Sequence, residues 1–510
     1  MKAKDVEAGA SPVSEEGTRT PPELVMLPNK ADTATGKIGL YVNRVERWLV
    51  NYNLEARGLQ RVLPPDSHSV NWLSYVQAFR TWVSMNLAAN NITLGMLGPT
   101  IFYLSFRDTA LCAFFGCLIG SIPVAHICTW GPRSGNRTLV FSRYTFGWWP
   151  NKILVILNII VMVGYSLIDL VIGGQILSAV SSNGSLNIVV GIIIIGLMCW
   201  FISTFGIKLF HYYQRYAWLP QLIAFSILYG VSSSKWDLAT PSQGDRKTII
   251  AGRISFLSLC LSAAITWSGI SADFFVYYSP STSRVGLFTA CLSGLMFSFT
   301  FALTLGAGLA SGITKTASFA KAYETSQGAL IVEGLSPLGN FGKFLAVVIT
   351  FSLVANTIGP SYSIGIDFQM LARKAQMVPR FIWNTCGVII YTVCAIAGRE
   401  NLSEIFTNFL ALMGYWVAIW VACQLEEQII FRRKRGYDWE AWNRKDLLPI
   451  GLASLAAFLV GWAGSILCMS QAWYIGPIAG KVGEHGADVS STLPLPLLLS
   501  GVGADRTAVG

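Results

Sequence analysis

The chain has 510 residues, 53% of them hydrophobic and only 13% charged, with a mean hydropathy of +0.51 and a formal net charge of +10. A soluble domain carries about a quarter charged residues, so this composition excludes an ordinary water-soluble enzyme and indicates a polytopic all-α membrane protein. The basic excess is no nucleic-acid footprint: with the N-terminus inside, the inner loops carry sixteen Lys and Arg and the outer loops nine, which is the positive-inside asymmetry.

Residues 1–70 are polar, charged and proline-containing, with no apolar run near the start, and read as a cytosolic N-terminal tail. Within it KADTATGK has the composition of a disordered stretch, and VNRVERWLVNYNLEARGLQRV reads as either an amphipathic surface helix or a plain linker. Eleven apolar stretches follow, at 84–106, 110–130, 153–181, 187–206, 216–234, 250–276, 285–312, 343–367, 381–398, 404–425 and 447–472. Each is long enough to cross about 30 Å of hydrocarbon.

The first stretch contains NNITLGMLGPTIF, in which Gly95, Gly98 and Pro99 predict a helix break. The sixth contains AAITWSGISADFF, in which Ser268 and Gly269 predict a second. A broken helix frees backbone groups that hydrocarbon cannot satisfy, so it is tolerated against a cavity or ligand. The two breaks correspond if residues 71–235 and 245–427 are two five-helix repeats, the sequence signature of a transporter with its site at the midplane. The plainer reading is that Gly and Pro are simply common in membrane helices.

In the third stretch, MVGYSLIDLVIGGQIL places Asp169 in mid-span, one turn from Tyr165 and on the same face. A carboxylate there costs roughly 2.5–3.5 kcal/mol, which makes a functional role the default reading. It would serve as a group that takes up or releases a proton as a cavity opens. Asp273 is a second candidate, or an acid that reaches the interface. Asp367, Glu404, Glu426 and Glu427 lie near span ends, where capping and snorkelling account for them. Trp267 stands beside the sixth-span break, Asn356 and Thr357 interrupt the apolar SLVANTIGPSYSIGI, and Asn90 and Asn91 precede the first-span glycines. Two aromatic faces with amide and carboxyl edges are what a flat polar heterocycle requires. The competing reading is packing for the rings and interhelical polar glue for the amides.

Between the seventh and eighth stretches, SFAKAYETSQGALIVEGLSPLGNFGKF reads as an outer lid or a connector. A basic inner loop and an eleventh span occupy 428–480, and 481–510 form an atypical C-terminal tail. The ten cysteines fall inside apolar stretches with no CxxC pair and the four histidines are scattered, so neither a disulfide framework, a metal site nor a bound cofactor is indicated. Motifs of nucleotide-binding, metalloprotease and hydrolase sites are missing, which argues against an enzyme.

The stretch NFLALMGYWVAIWVACQLEEQIIFRRKRGYDWEAWN resembles the fungal purine-cytosine permeases of the nucleobase-cation symporter family, as do FHYYQRYAWLPQ, AYETSQGALIVEG and GYSLIDLVIGGQ. The likeness runs over about residues 40–489. It implies a leucine-transporter-like fold, two inverted five-helix repeats plus accessory C-terminal helices. It further implies import of cytosine and purines with a cation across the plasma membrane, a nucleobase and the bilayer being the partners. By the same resemblance the substrate is sandwiched by Tyr165 and Trp267, with Ser268 beside the break, and is hydrogen-bonded by Asp169, Asn356, Thr357, Asn90 and Asn91. Sodium-coupled relatives carry two adjacent hydroxyls where this chain has Thr350 and Phe351; phenylalanine cannot ligate a hard cation, so the proton gradient is the expected energy source, with Asp169 as coupling group. The chain departs from its relatives in reading Asn356-Thr357-Ile358-Gly359-Pro360 on the eighth span and in carrying Gln214 where many have glutamate. A twelfth span is expected, yet STLPLPLLLSGVGADRTAVG holds an apolar run too short to cross. The alternatives are the same fold carrying a pyridoxine-type or thiamine-type vitamin, and a base-binding membrane protein that does not concentrate its ligand.

Overall fold

The computed structural model describes residues 58–181, 185–204, 207–483 and 486–490, with the side chains of 207–211 outside the description. The expectations for KADTATGK, for most of the amphipathic segment before it joins Gly58, and for the 491–510 run therefore lie outside the described residues. The fold is almost wholly helical. Its main helices are α1 (Trp72–Asn86), α2 (Ala89–Thr100), α3 (Phe106–Cys128), α4 (Thr138–Phe146), α5 (Asn151–Val180), α6 (Ile188–Thr204), α7 (Ile207–Ser232), α8 (Arg246–Ile265), α9 (Arg284–Ser311), α10 (Ala317–Thr325), α11 (Gln327–Gly334), α12 (Gly339–Leu371), α13 (Arg380–Gly398), α14 (Leu410–Glu426) and α15 (Leu452–Cys468). Seven helical segments among the described residues are long and apolar enough to cross a membrane, and α6 and α15 are shorter apolar helices of 17 residues each.

Helix ends are set by local chemistry. Asn71 and Ser74 form a reciprocal capping box at the start of α1. Ser105, Asp245 and Ser283 accept from the Asp108, Thr248 and Gly286 amides at the starts of α3, α8 and α9, each satisfying an N–H that the helix itself cannot.

The helices pack as two groups. The first and sixth spans pack with α3 and α9; the third span, α5, packs with α6, α12 and α13. Each group thus pairs the first two spans of one five-helix set with the first two of the other, or the third and fourth with their counterparts, as an inverted repeat requires. The helix α7 bridges α1 and α12, while α14 lies against α8 and α15. The face bearing the N-terminal residues is called inner below.

The first-span break does not fall at Gly95, Gly98 and Pro99. It falls at Leu87 and Ala88, between α1 and α2, where Ala88 is extended (φ −130°, ψ 152°). Those glycines are instead contact points. A Cβ on Gly95 would run into the Leu303 carbonyl, and one on Gly306 into the Ile92 carbonyl, so α2 and α9 approach backbone to backbone. Pro99 sits in the last turn of α2, close to where the helix ends anyway. The sixth-span break is where Ser268 and Gly269 predicted it: α8 stops at Ile265 and continues as two 3-10 turns, Thr266–Gly269 and Ser271–Phe274.

The segment after α9 forms α10 and α11, and α11 packs on the outer end of α5. Gly328 donates its N–H to Gln175 Oε1 at 3.1 Å, and Gln327 Nε2 donates to Ser403 Oγ at 3.1 Å. Gln175 is six residues outward of Asp169, about 9 Å along the helix.

A candidate substrate site at two helix breaks

The two helix groups meet at the breaks, and their backbone accounts for the polar residues there. Asn356 on α12 is fully buried and donates its Nδ2 to the Met85 carbonyl at 2.6 Å, in the last turn before the first-span break. One turn away, Ser352 Oγ accepts the Ala89 N–H at 3.1 Å, at the first residue after it. Both orphaned ends of the broken span are therefore taken up by one face of α12, in place of the water that lipid excludes. Asn91 Nδ2 donates to the Asn86 carbonyl at 2.7 Å and so also serves the break.

Asp169 is fully buried on α5. Its Oδ2 accepts from Thr357 Oγ1 at 2.8 Å, Oδ1 has no partner at hydrogen-bond geometry, and Asn90 on α2 faces the same carboxyl group. One turn inward, Tyr165 places its ring 6.3 Å from that of Trp267, with a 40° tilt between them. The Tyr165 hydroxyl pairs with Thr266 Oγ1 at 2.6 Å and donates to the Ala263 carbonyl at 3.2 Å, which a continuous α8 would have claimed for itself. Ser268 Oγ is buried without a partner in the same turn. Tyr165, Asp169, Asn90, Trp267 and Thr357 thus converge. Asn356 and Asn91 hold the adjoining break, and Ser268 adds an unpaired hydroxyl. A flat ring entering between Tyr165 and Trp267 must part them, since face-to-face contact on both sides takes more room than 6.3 Å with a tilt.

Several residues have roles that sequence patterns alone do not reveal. Trp82, fully buried on α1, stands edge-on to Trp267 at 5.7 Å and to Phe274 at 5.9 Å, and forms the back wall of the ring pair. Gln214 on α7 is buried and donates to the Ala355 carbonyl at 2.8 Å, beside Asn356; its departure from the relatives' residue was the available signal. Span ten begins in a π-helical turn, Ile405–Phe409, whose Phe409 ring occupies the space a Cβ on Gly164 would need, next to Tyr165.

Two acids differ from their expected placement. Asp273 does not reach the interface: it is buried and accepts from the Thr138 N–H at 2.7 Å and Thr138 Oγ1 at 2.9 Å, anchoring the start of α4, while Ser363 Oγ donates to its other oxygen at 3.2 Å. Asp367 is no exposed cap either; it is buried and accepts from Asn158 Nδ2 at 2.7 Å. Arg137 donates to the Asp273 carbonyl at 2.9 Å and lies over the Tyr277 and Tyr362 rings. These groups form a polar seal on the inner side of the ring pair. They escape a span-by-span reading because Arg137 and Thr138, at the start of α4 between spans two and three, supply partners that no span carries.

Comparisons with known proteins bear on the family and the fold. The chain is 31% identical to the vitamin B6 transporter TPN1 of Saccharomyces cerevisiae, over 94% of this chain and 92% of that protein. It is 32% identical to the purine-cytosine permease fcyB of Emericella nidulans, over 88% of each. Among solved structures it is similar in fold to Mhp1, a nucleobase-cation-symport-1 family transporter in a closed conformation with bromovinylhydantoin bound, with a TM-score of 0.61 at 15% identity over 88% of this chain and 92% of that one. A sodium-coupled sialic acid symporter gives a TM-score of 0.59 at 12% identity, over 91% of this chain and 95% of that one. Residues 68–481 match the family described as permeases for cytosine/purines, uracil, thiamine and allantoin, and with an inverted-repeat fold and two broken spans around one buried acid, the chain belongs to that family of multi-pass membrane transporters.

Proposed function

We propose that this permease is a plasma-membrane symporter that imports cytosine and purine bases with protons by alternating access, its inner face being cytosolic. One observation carries the reading: Asp169 is enclosed at the junction of the two helix groups, with one oxygen held by Thr357 and the other free, one turn from the Tyr165–Trp267 ring pair. The rings offer faces for a planar base, and the free carboxyl oxygen accepts from a donor on its edge. A group of this kind can be loaded with substrate and proton on one side and unloaded on the other as the helix groups rock.

The proton is favoured by the surroundings of the eighth span. Phe351 is 40% exposed and carries no ligand atom, and Ser352 Oγ is engaged by Ala89 N–H, so the two positions after Thr350 offer no spare pair of adjacent hydroxyls for a hard cation.

A second reading, a pyridoxine-type vitamin as cargo, is supported by the similarity to the vitamin B6 transporter, which is as close to this chain as the purine-cytosine permease is. Asp169 also suits it, because a carboxylate pairs with hydroxyl donors as readily as with an amine. Uptake of labelled cytosine in a transport-deficient yeast, with and without a protonophore, tests the proposal. Concentrative uptake that the protonophore abolishes, with competition by adenine and hypoxanthine, supports it. Competition by pyridoxine alone transfers the cargo to the vitamin, and uptake that follows sodium rather than protons refutes the coupling.

A further inference from the structure

On the inner face, away from the ring pair, a cavity of ≈ 300 Å³ opens between the start of α5, the end of α12 and the loop before α15. Four cationic side chains line it: Arg143, Lys152, Arg373 and Lys445. Among the described residues no carboxylate does. Arg143 is 3% exposed, lies 4.5 Å over the Trp148 ring, and donates to the Trp442 carbonyl at 3.1 Å. Lys152 holds its ammonium 4.3 Å over Trp149, which is 63% exposed. Burial pushes the Arg143 guanidinium down to about 10, so it stays charged at neutral pH.

Four like charges around one small volume repel one another, and among the described residues no salt bridge relieves them: Arg444 takes Asp446 and Arg432 takes Glu427, both outside the cavity. A concentrated positive field with buried and aromatic walls favours a compact, multiply charged anion. Exposed tryptophan beside it marks the depth of the membrane–water interface. We propose that this cavity binds a multiply charged phosphate group, of the kind carried by a phosphoinositide headgroup in the inner leaflet. An anion there would tie the loop before α15 to α5 and α12, the helices that carry Asp169 and Thr357, and so bias the rocking of the two groups. Its inner-leaflet source rests on the topology proposed above, while binding itself does not.

The test uses the purified full chain and a fluorescent short-chain phosphatidylinositol bisphosphate, read by fluorescence polarisation, with inositol trisphosphate, phosphatidylserine and inorganic phosphate as competitors. Saturable binding is expected, weakened about tenfold or more by the paired change Arg373→Gln and Lys445→Gln, at two exposed positions whose loss leaves the thermal melting curve in place. The pair Arg433→Gln and Lys434→Gln, exposed on the same loop but outside the cavity, should change it by less than about twofold. Displacement by unlabelled phosphatidylinositol bisphosphate but not by soluble inositol trisphosphate assigns the site to the leaflet; equal displacement by the two assigns it to a free phosphate ester, and both support the cavity, whereas equal displacement by phosphatidylserine overturns it. Unsaturable binding, or equal loss in the two paired variants, overturns the proposal.

Discussion

Asp169 on the third span and Thr357 on the eighth are 188 residues apart in sequence and joined by a hydrogen bond of 2.8 Å. The bond lies within one helix group, and Oδ1 is buried without a hydrogen-bond partner. Asp169→Asn keeps the shape and removes the exchangeable proton. Uphill accumulation in proteoliposomes should be abolished while exchange of substrate across the membrane is retained. Pumping against a gradient that survives unchanged, with its pH dependence intact, would remove Asp169 from coupling. Thr357→Val deletes one donor to a buried carboxylate, a loss of about 1.5–3 kcal/mol, and should weaken substrate affinity at least several-fold without altering expression.

Trp267 is held from both sides, by Tyr165 at 6.3 Å and by Trp82 at 5.7 Å. Trp267→Ala should therefore weaken binding by about 1–3 kcal/mol, five- to more than a hundredfold in the concentration for half-maximal uptake. Trp267→Phe should recover much of it. Trp82→Ala should have a smaller effect, since its ring supports Trp267 rather than offering a face. Radiolabelled uptake at graded substrate concentration distinguishes these ranks.

Asn356 donates to the Met85 carbonyl at the first-span break. Asn356→Leu leaves that carbonyl unsatisfied in a dry junction, and a penalty of about 1–3 kcal/mol is expected. It should appear as a lower melting temperature in detergent as well as lost transport. Asn356→Ser, with a shorter donor, should restore stability less than Asn356→Gln. A variant that melts like the wild type would mean that water or a neighbouring side chain replaces the bond.

Asp488 follows the last described helix and packs back onto α8 and α14. Ser258 Oγ donates to its carbonyl at 2.8 Å, and its carboxyl receives Gln471 Nε2 at 3.1 Å together with the Tyr415 hydroxyl. Burial holds this carboxyl above its ordinary range, although the hydrogen bonds from Ser490 and Tyr415 oppose the shift. The unfolded chain then loses the proton first as pH rises, so stability falls from about pH 4, the ordinary carboxylate value, until the raised value is passed. Asp488→Asn should flatten that part of the melting-temperature profile. A wild-type profile already flat over this range would show that the carboxyl is not buried as described.

Much of the site was legible before folding because each residue is chemically out of place. Asp169 has no reason to stand in a lipid-crossing run, and Trp267 beside Ser268 and Gly269 sits where a helix cannot continue. Asn356 and Thr357 were legible for the same reason, though their division of labour was not: one holds a carbonyl and the other holds the acid. The first-span break was misplaced because glycine serves two ends. In Gly95 it permits α2 and α9 to touch, a need that only a neighbouring helix creates. The true break at Leu87 and Ala88 carries no composition signal; what makes it tolerable is Asn356 and Ser352, more than 260 residues later.

Taken alone, the order of residues determined that the chain crosses a membrane many times, that one acid is buried in mid-span, and which rings attend it. Apolar length, charge bias and the cost of an isolated carboxylate act locally, and so can be read along the chain. The tertiary structure alone decided where the first span opens, that Trp82 backs the ring pair, that Asp273 and Asp367 are interior acids sealing the inner side, and that four distant cations share one cavity. Each of these depends on a hydrogen bond, a ring contact or a field between segments far apart in sequence, and such pairings exist only once the two helix groups have packed.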